Sequence, residues 1–187
     1  MQNQVLDVIK ARRSIRAYKS DALPKEQVET LVNAALHSPS AMNLRPWHII
    51  AVTDRELINQ MDKELVEELR AMGDPAIISR LDSRGNKSIY DAPALFLITT
   101  KKVKGFEDID AGIMAQSICL AAKSMGLDSV MIAMLRALFA SEKGQSYKSK
   151  LKFPPEHDFV IAVAVGHANQ EAPPRELTFD DKVTYIG

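Results

Sequence analysis

The sequence predicts an α+β (mixed α/β) fold, and three observations carry that expectation. Four short runs over residues 47–52, 94–99, 129–133 and 159–166 are rich in β-branched and aliphatic side chains, as strands are. Between them, over residues 24–37, 54–69 and 110–124, apolar residues recur three and four positions apart, the spacing of an amphipathic helix. No repeat, low-complexity stretch or shift in composition divides the 187 residues, so 1–187 reads as one domain, long enough to bury a sizeable core.

The elements follow in chain order. Val5, Leu6, Val8 and Ile9 give an apolar face to a short helix that ends at Arg12-Arg13-Ser14-Ile15-Arg16. Three guanidinium groups and a hydroxyl in five residues offer paired, charge-assisted hydrogen bonds to phosphate or carboxylate oxygens. Ile15 between them predicts that the segment is pinned to a core; taken alone, the five residues also read as a solvated basic turn. Pro24 suits the first turn of the next helix, which carries Val28, Leu31, Val32, Ala35 and Leu36. Ser38-Pro39-Ser40-Ala41-Met42-Asn43 then breaks it, either as a loop that offers amides and hydroxyls to a ligand or as a plain connector.

The strand at 47–52 leads to Asp54, a cap for a helix with Leu57, Ile58, Met61, Leu65 and Leu69 on one stripe. Residues 72–90 weaken the pattern around a short helical piece, and read equally as a mobile excursion covering a pocket or as a surface connector. The run at 94–99 is a buried strand. Asp110 opens the longest helix, and Gly126 with Leu127 closes it in a Schellman stop. Small residues on that helix admit close packing, which predicts a central position. Residues 136–150 are partly helical with Gly144 interrupting, and 159–166 is the most apolar strand. Residues 167–187, polar and proline-bearing but ending in Val183-Thr184-Tyr185-Ile186, cannot easily pack on their own core and are expected to reach another subunit.

Composition narrows the function classes. Lys and Arg together number 24, as do Asp and Glu, which argues against nucleic acid or a membrane surface as partner and makes the basic cluster a local feature suited to one small anion. The single cysteine, Cys119, excludes an intrachain disulfide and fits a reducing compartment. No basic-then-apolar leader and no bilayer-length apolar run is present, so the expected location is cytoplasmic. The four histidines lack metal-type spacing, glycine-rich nucleotide loops and nucleophile elbows are absent, and Cys119 sits inside a helical apolar pattern. No acid, base and nucleophile set stands alone, so an enzyme built on this chain would rely on a cofactor.

Three segments together resemble the FMN-dependent nitroreductase family. They are Arg12-Arg13-Ser14-Ile15-Arg16, the stretch from Ser38 to Trp47, and the helix-to-strand passage from Ala121 to Val130. The resemblance implies a central, mostly antiparallel sheet flanked by helices, and an obligate homodimer whose C-terminal tails are exchanged. It implies FMN in a crevice shared by two subunits, reduced by NADH or NADPH and reoxidised at N5 by nitro compounds, quinones or related acceptors in a ping-pong cycle. By similarity, Arg12 would hold the phosphate, Arg13 and Ser14 the phosphoribityl side, and Arg16 the pyrimidine edge. Pro39, Ser40, Met42 and Asn43 would come from the other subunit, Ala133 and Met134 would lend backbone to the ring, and Arg175 would make a second phosphate contact. A cation such as Arg16 ~4 Å from a charge on the reduced ring gives ~4 kcal/mol at an effective dielectric of 20. The same scaffold also admits a dehalogenating or ring-cleaving enzyme, and a flavin-binding protein without turnover.

Overall fold

The computed structural model describes residues 3–175 and 182–187. In chain order the elements are α1 (Gln4–Ala11), α2 (Lys25–Leu36), a 3-10 turn (Ala41–Asn43), β1 (Trp47–Val52), α3 (Arg55–Ala71), α4 (Pro75–Asp82), β2 (Ala94–Lys101), α5 (Glu107–Ser124), β3 (Asp128–Ile132), α6 (Arg136–Ala140), α7 (Gly144–Lys150) and β4 (His157–Gly166). The four strands form one sheet in the order β1-β2-β4-β3, every pairing antiparallel.

The sheet is covered on both faces. Side chains alternate across a strand, so Leu95 and Leu97 of β2 and Ala162 and Ala164 of β4 pack with α3 and α6. Phe96, Ile98, Val163 and Val165 point the other way, onto α2 and α5. Burial on both faces is why residues 94–99 read as an unbroken apolar run. Helix α5 buries Ala111, Met114, Ala115, Ile118, Cys119 and Ala122. It ends as expected: Leu127 N–H donates to Ala122 O at 2.9 Å and Gly126 N–H to Lys123 O, with Gly126 at φ 75°.

Several boundaries differ from the expectation. Helix α5 begins at Glu107, a turn before Asp110, and the Glu107 carboxylate accepts the N–H groups of Val103, Lys104 and Gly105. Those bonds hold its carboxyl down to about 2. The ambiguous stretch 136–150 resolves into α6 and α7, because a side chain at Gly144 would collide with the Phe139 carbonyl. Within 72–90, Pro75–Asp82 form α4, residues 82–87 are exposed or half-buried, and Ser88 to Tyr90 are anchored in the core. Asp62 accepts the N–H groups of Ser88 and Ile89 at 2.7 and 2.9 Å, and Leu81, Ile89 and Tyr90 are all buried. Among the described residues, no helix is long and apolar enough to cross a membrane.

Candidate functional site

The arginine segment is an extended strap laid against the sheet edge. Ile15, 3% exposed, and Tyr18, 5% exposed, turn into the core and fix its backbone. Ser14 bridges Ser129 of β3 in parallel fashion, with Ile15 N–H donating to Ser129 O at 3.1 Å. With Ile15 and Tyr18 held inward, Arg16 is left exposed and Arg12 and Arg13 half-exposed. Behind the strap lies the Cys119 thiol, wholly buried; burial pushes its pKa up against the opposing pull of Ser129 and Arg12, so it is no thiolate nucleophile.

The start of the C-terminal tail is zipped onto the same strap. Lys19 N–H donates to His167 O at 2.9 Å, Tyr18 bridges Ala168, and Asn169 N–H donates to Ala17 O at 2.9 Å. Arg16 N–H then reaches Gln170 Oε1 at 3.3 Å, and Arg13 Nε reaches Pro173 O at 3.1 Å. This corrects the expectation that the tail cannot pack on its own chain at its start: residues 167–169 do so through backbone pairing, and 170 and 173 through side-chain hydrogen bonds. Val183, Tyr185 and Ile186 are exposed and outside any strand. Residues 176–181 of the expected exchanged tail lie outside the described residues.

The guanidinium groups are not equivalent. Arg13 donates to the carbonyls of Lys10, Arg12 and Pro173. Arg16 makes one long contact, to Ser14 O at 3.4 Å. Among the described residues no ion pair engages Arg12, Arg13, Arg16 or Arg175, although carboxylates equal basic groups in number. Cations on one strap with no carboxylate paired to them among the described residues, and with donors unused on Arg12 and Arg16, are the donor set a dianionic phosphate requires. The residues fit an FMN phosphate on this ground.

The second predicted segment sits elsewhere. Pro39, Met42 and Asn43 are exposed and Ser40 half-buried, in a loop where Met42, Asn43 and Arg45 all take positive φ, 51°, 54° and 49°. Left-handed backbone costs an L-residue roughly 1–2 kcal/mol each, less for Asn, so the shape is imposed from outside. Two residues of α5 impose it: Asp110 Oδ1 accepts Ala41 N–H at 3.0 Å, and the Ser38 and Ser117 hydroxyls meet at 2.8 Å. Ser40 Oγ accepts Arg45 N–H at 2.9 Å, and Pro46 O accepts Lys101 N–H. Asp110 and Ser117 were legible only as polar residues seven apart on a helix that otherwise buries small and apolar ones.

No hydrogen bond or ion pair among the described residues joins this loop to the arginine strap. Helix α1 leads into the strap and lies against α5, with Val5, Val8, Leu120, Ala121 and Ser124 lining a shallow cavity between them, whereas the loop is tied to Asp110 and Ser117. At about 1.5 Å per residue along α5, Leu120 to Ser124 lie roughly 15–20 Å from Asp110 and roughly 5–10 Å from Ser117. The structure thus places Arg12, Arg13, Ser14, Arg16 and the approach to Arg175 on the strap, and Pro39, Ser40, Met42 and Asn43 on a separate loop. Ala133 and Met134 lie between β3 and α6, their carbonyls accepting Arg136 and Ala137 N–H at 3.0 Å each. Arg136 lines a cavity of about 710 Å³ with Lys102, Lys104, Asp108 and Phe159; its Nε donates to Val160 O and its Nη2 pairs with Asp108 at 3.3 Å. The sheet also brings together His48 and His157, rings 6.2 Å apart and edge-to-face, which their positions in the chain did not reveal. No group of three metal-ligating residues occurs among the described residues.

Comparison with known proteins identifies the family. A relative from Methanothermobacter thermautotrophicus, named for NADH dehydrogenase/NAD(P)H nitroreductase activity, is 30% identical over 184 residues, covering 96% of this chain and 85% of its own. The NADPH-flavin oxidoreductase of Vibrio harveyi is 29% identical over 204 residues, covering 98% of this chain and 80% of its own. A nitroreductase with bound FMN from Desulfitobacterium hafniense superposes with a TM-score of 0.95 at 33% identity over the full length of both chains. The nitroreductase family model matches residues 9–167, from the arginine strap through the whole sheet to the first residue of its tail ladder, and the chain belongs to that family.

Proposed function

We propose that the chain is an FMN-dependent oxidoreductase that passes reducing equivalents from NADH or NADPH to nitroaromatic, quinone or similar electron-poor acceptors, working as a homodimer. The observation that carries the reading is the run of cations, without carboxylate partners among the described residues, on a strap fixed by Ile15 and Tyr18. The FMN-bound Desulfitobacterium hafniense nitroreductase and the Vibrio harveyi NADPH-flavin oxidoreductase support the cofactor and the reductant.

In this reading Arg12 and Ser14 hold the phosphate and its ribityl neighbour, with Arg175 as a second cation. Arg16 stands at the pyrimidine edge, where a permanent positive charge favours the anionic reduced form of the ring. Bound FMN supplies the hydride chemistry, at N5. Ala133 and Met134 lend backbone to the ring, and the cavity at Arg136 is the space for nicotinamide and acceptor in turn. Pro39, Ser40, Met42 and Asn43 come from a second copy. Exposed Phe106, Ile109 and Ile113 on and before α5, with Leu36, Met42 and Leu44 beside them, support that arrangement as an apolar surface for another chain. The exchange of the extreme C-terminus is part of the proposal: deleting residues 182–187 is expected to shift dimer toward monomer in sedimentation, and an unchanged dimer would remove the exchange.

The test of function is an absorbance spectrum of the purified protein. A flavin spectrum that bleaches on NADH or NADPH and recovers with a nitroaromatic supports the reading. A colourless protein that takes up no FMN, or a flavin that neither nicotinamide reduces, overturns it.

A further inference from the structure

We propose that Arg13 is a positioning residue and not a flavin ligand: it clamps the C-terminal tail to the arginine strap so that Arg175 completes the anion site. The inference rests on the flavin reading above and deepens it. Its ground is what the guanidinium already holds. Nη1 donates to Lys10 O and Arg12 O at 2.6 and 2.9 Å, and Nε donates to Pro173 O at 3.1 Å. The first two are carbonyls at and just past the end of α1, where a helix leaves acceptors unpaired and concentrates negative dipole. The third belongs to a residue 160 positions away. One planar fork therefore ties the end of α1 to the tail, which uses the fixed geometry that separates Arg from Lys.

Arg13 is also the last rung of a ladder. Residues 19, 18, 17, 16 and 13 pair in turn with 167, 168, 169, 170 and 173. The rungs nearest β4 are backbone pairs, which hold without any particular side chain. The last two depend on side chains, Gln170 and Arg13, and Arg13 alone anchors Pro173 among the described residues. Arg175 follows two residues later, exposed and without an ion pair among the described residues. Releasing the clamp leaves the packing of Ala172 on the core as the tail's last hold, frees Pro173 to Arg175 and withdraws that cation from the strap. Arg12, which makes no such tether, acts directly.

The test uses the full-length dimer and three variants: Arg13→Gln, Arg13→Lys and Arg175→Ala, with the double Arg13→Gln/Arg175→Ala. Dissociation constants for FMN and for riboflavin, which lacks the phosphate, are measured by fluorescence titration. Backbone mobility is followed by amide nitrogen relaxation at Glu171, Ala172 and residue 175 in flavin-free protein, since Pro173 and Pro174 carry no N–H. Arg13→Gln and Arg175→Ala are each expected to weaken FMN by about tenfold and riboflavin little, and the double variant to be no worse than Arg13→Gln alone. Arg13→Lys, which keeps the charge but not the fork, is expected to remain weak, and mobility at residue 175 to rise in both Arg13 variants but not in Arg175→Ala. Recovery of affinity by Lys, or additive losses with mobility unchanged, would make Arg13 a direct ligand and overturn the proposal. Should wild-type protein bind no FMN, the flavin reading fails, while the relaxation data still decide whether the clamp exists. If Arg13→Gln does not fold, Arg13→Lys and Arg175→Ala carry the same comparison.

Discussion

The arginine strap and the 38–45 loop, the two segments read as flavin contacts, reach their shapes by opposite means. The strap is extended backbone that any residue adopts, held by two buried side chains and a ladder to the tail, and it leaves cations over. The loop has left-handed backbone at Met42, Asn43 and Arg45 and is held to the fold by Asp110, the Ser38–Ser117 hydroxyl contact and its return into β1. One is a rigid, charged platform belonging to the core. The other is exposed, carries Arg45 as its one charged residue and is imposed by a helix neighbour. In the proposed function such a pair would divide the work of binding: the strap would supply charge to an anion, and the loop shape to whatever lies against it.

That division can be broken by experiment, and Ile15→Ala attacks it hardest. Truncating a buried Ile costs about 2–5 kcal/mol, so chemical denaturation should show a loss of that size, with FMN affinity falling alongside because the cations lose their base. Unaltered affinity in the folded variant would mean that the platform does not need its anchor. Asp110→Ala comes next. It leaves Ala41 N–H without its acceptor, at about 1–3 kcal/mol. FMN and riboflavin should weaken equally, since the loop does not meet the phosphate; selective loss of FMN would erase the distinction between the two regions. Arg12→Ala should do the reverse, weakening FMN by at least about tenfold, or 1.4 kcal/mol, and riboflavin little. Equal titration curves for variant and wild type would remove Arg12 from the site.

The smallest effect belongs to the histidines at the root of the loop. Burial, and then the neighbouring His48, push His157 below the ordinary 6.5. A depressed imidazole binds fewer protons folded than unfolded, so its contribution to stability is present above pH 6.5 and lost as pH falls through its folded value. The unfolding free energy should therefore slope downward with acid below pH 6.5, and His157→Gln should flatten that slope. An identical slope in the variant would assign the pH dependence to other groups.

The readable parts of this molecule are those whose signal is local. Strand β1, the Asp54 cap on α3 and the Gly126 stop on α5 depend on residues within a few positions, and their patterns match the structure. The arginine strap was legible as chemistry, because guanidinium groups advertise anions, and Ile15 as its anchor. What stayed hidden depends on distant partners. Arg13 meets Pro173 across 160 positions, and His48 meets His157 only because β1 and β4 flank β2. Asp110 reads locally as a helix opener, whereas its carboxylate serves the loop at Ala41. The tail misled for a related reason: its hold on residues 13–19 runs mostly through hydrogen bonds, which leave no apolar pattern to read.

The central claim is that the strap of one copy and the loop of another close on the same flavin. Subunit complementation tests it most directly. One variant carries Arg12→Ala and Arg16→Ala, the other Ser40→Ala and Asn43→Ala, and each alone is expected to retain little FMN. Refolded together, the mixed dimers should regain one FMN per two chains, since one site combines the intact strap of one copy with the intact loop of the other. If mixing restores no FMN at all, both segments act within a single chain, and the shared crevice is wrong.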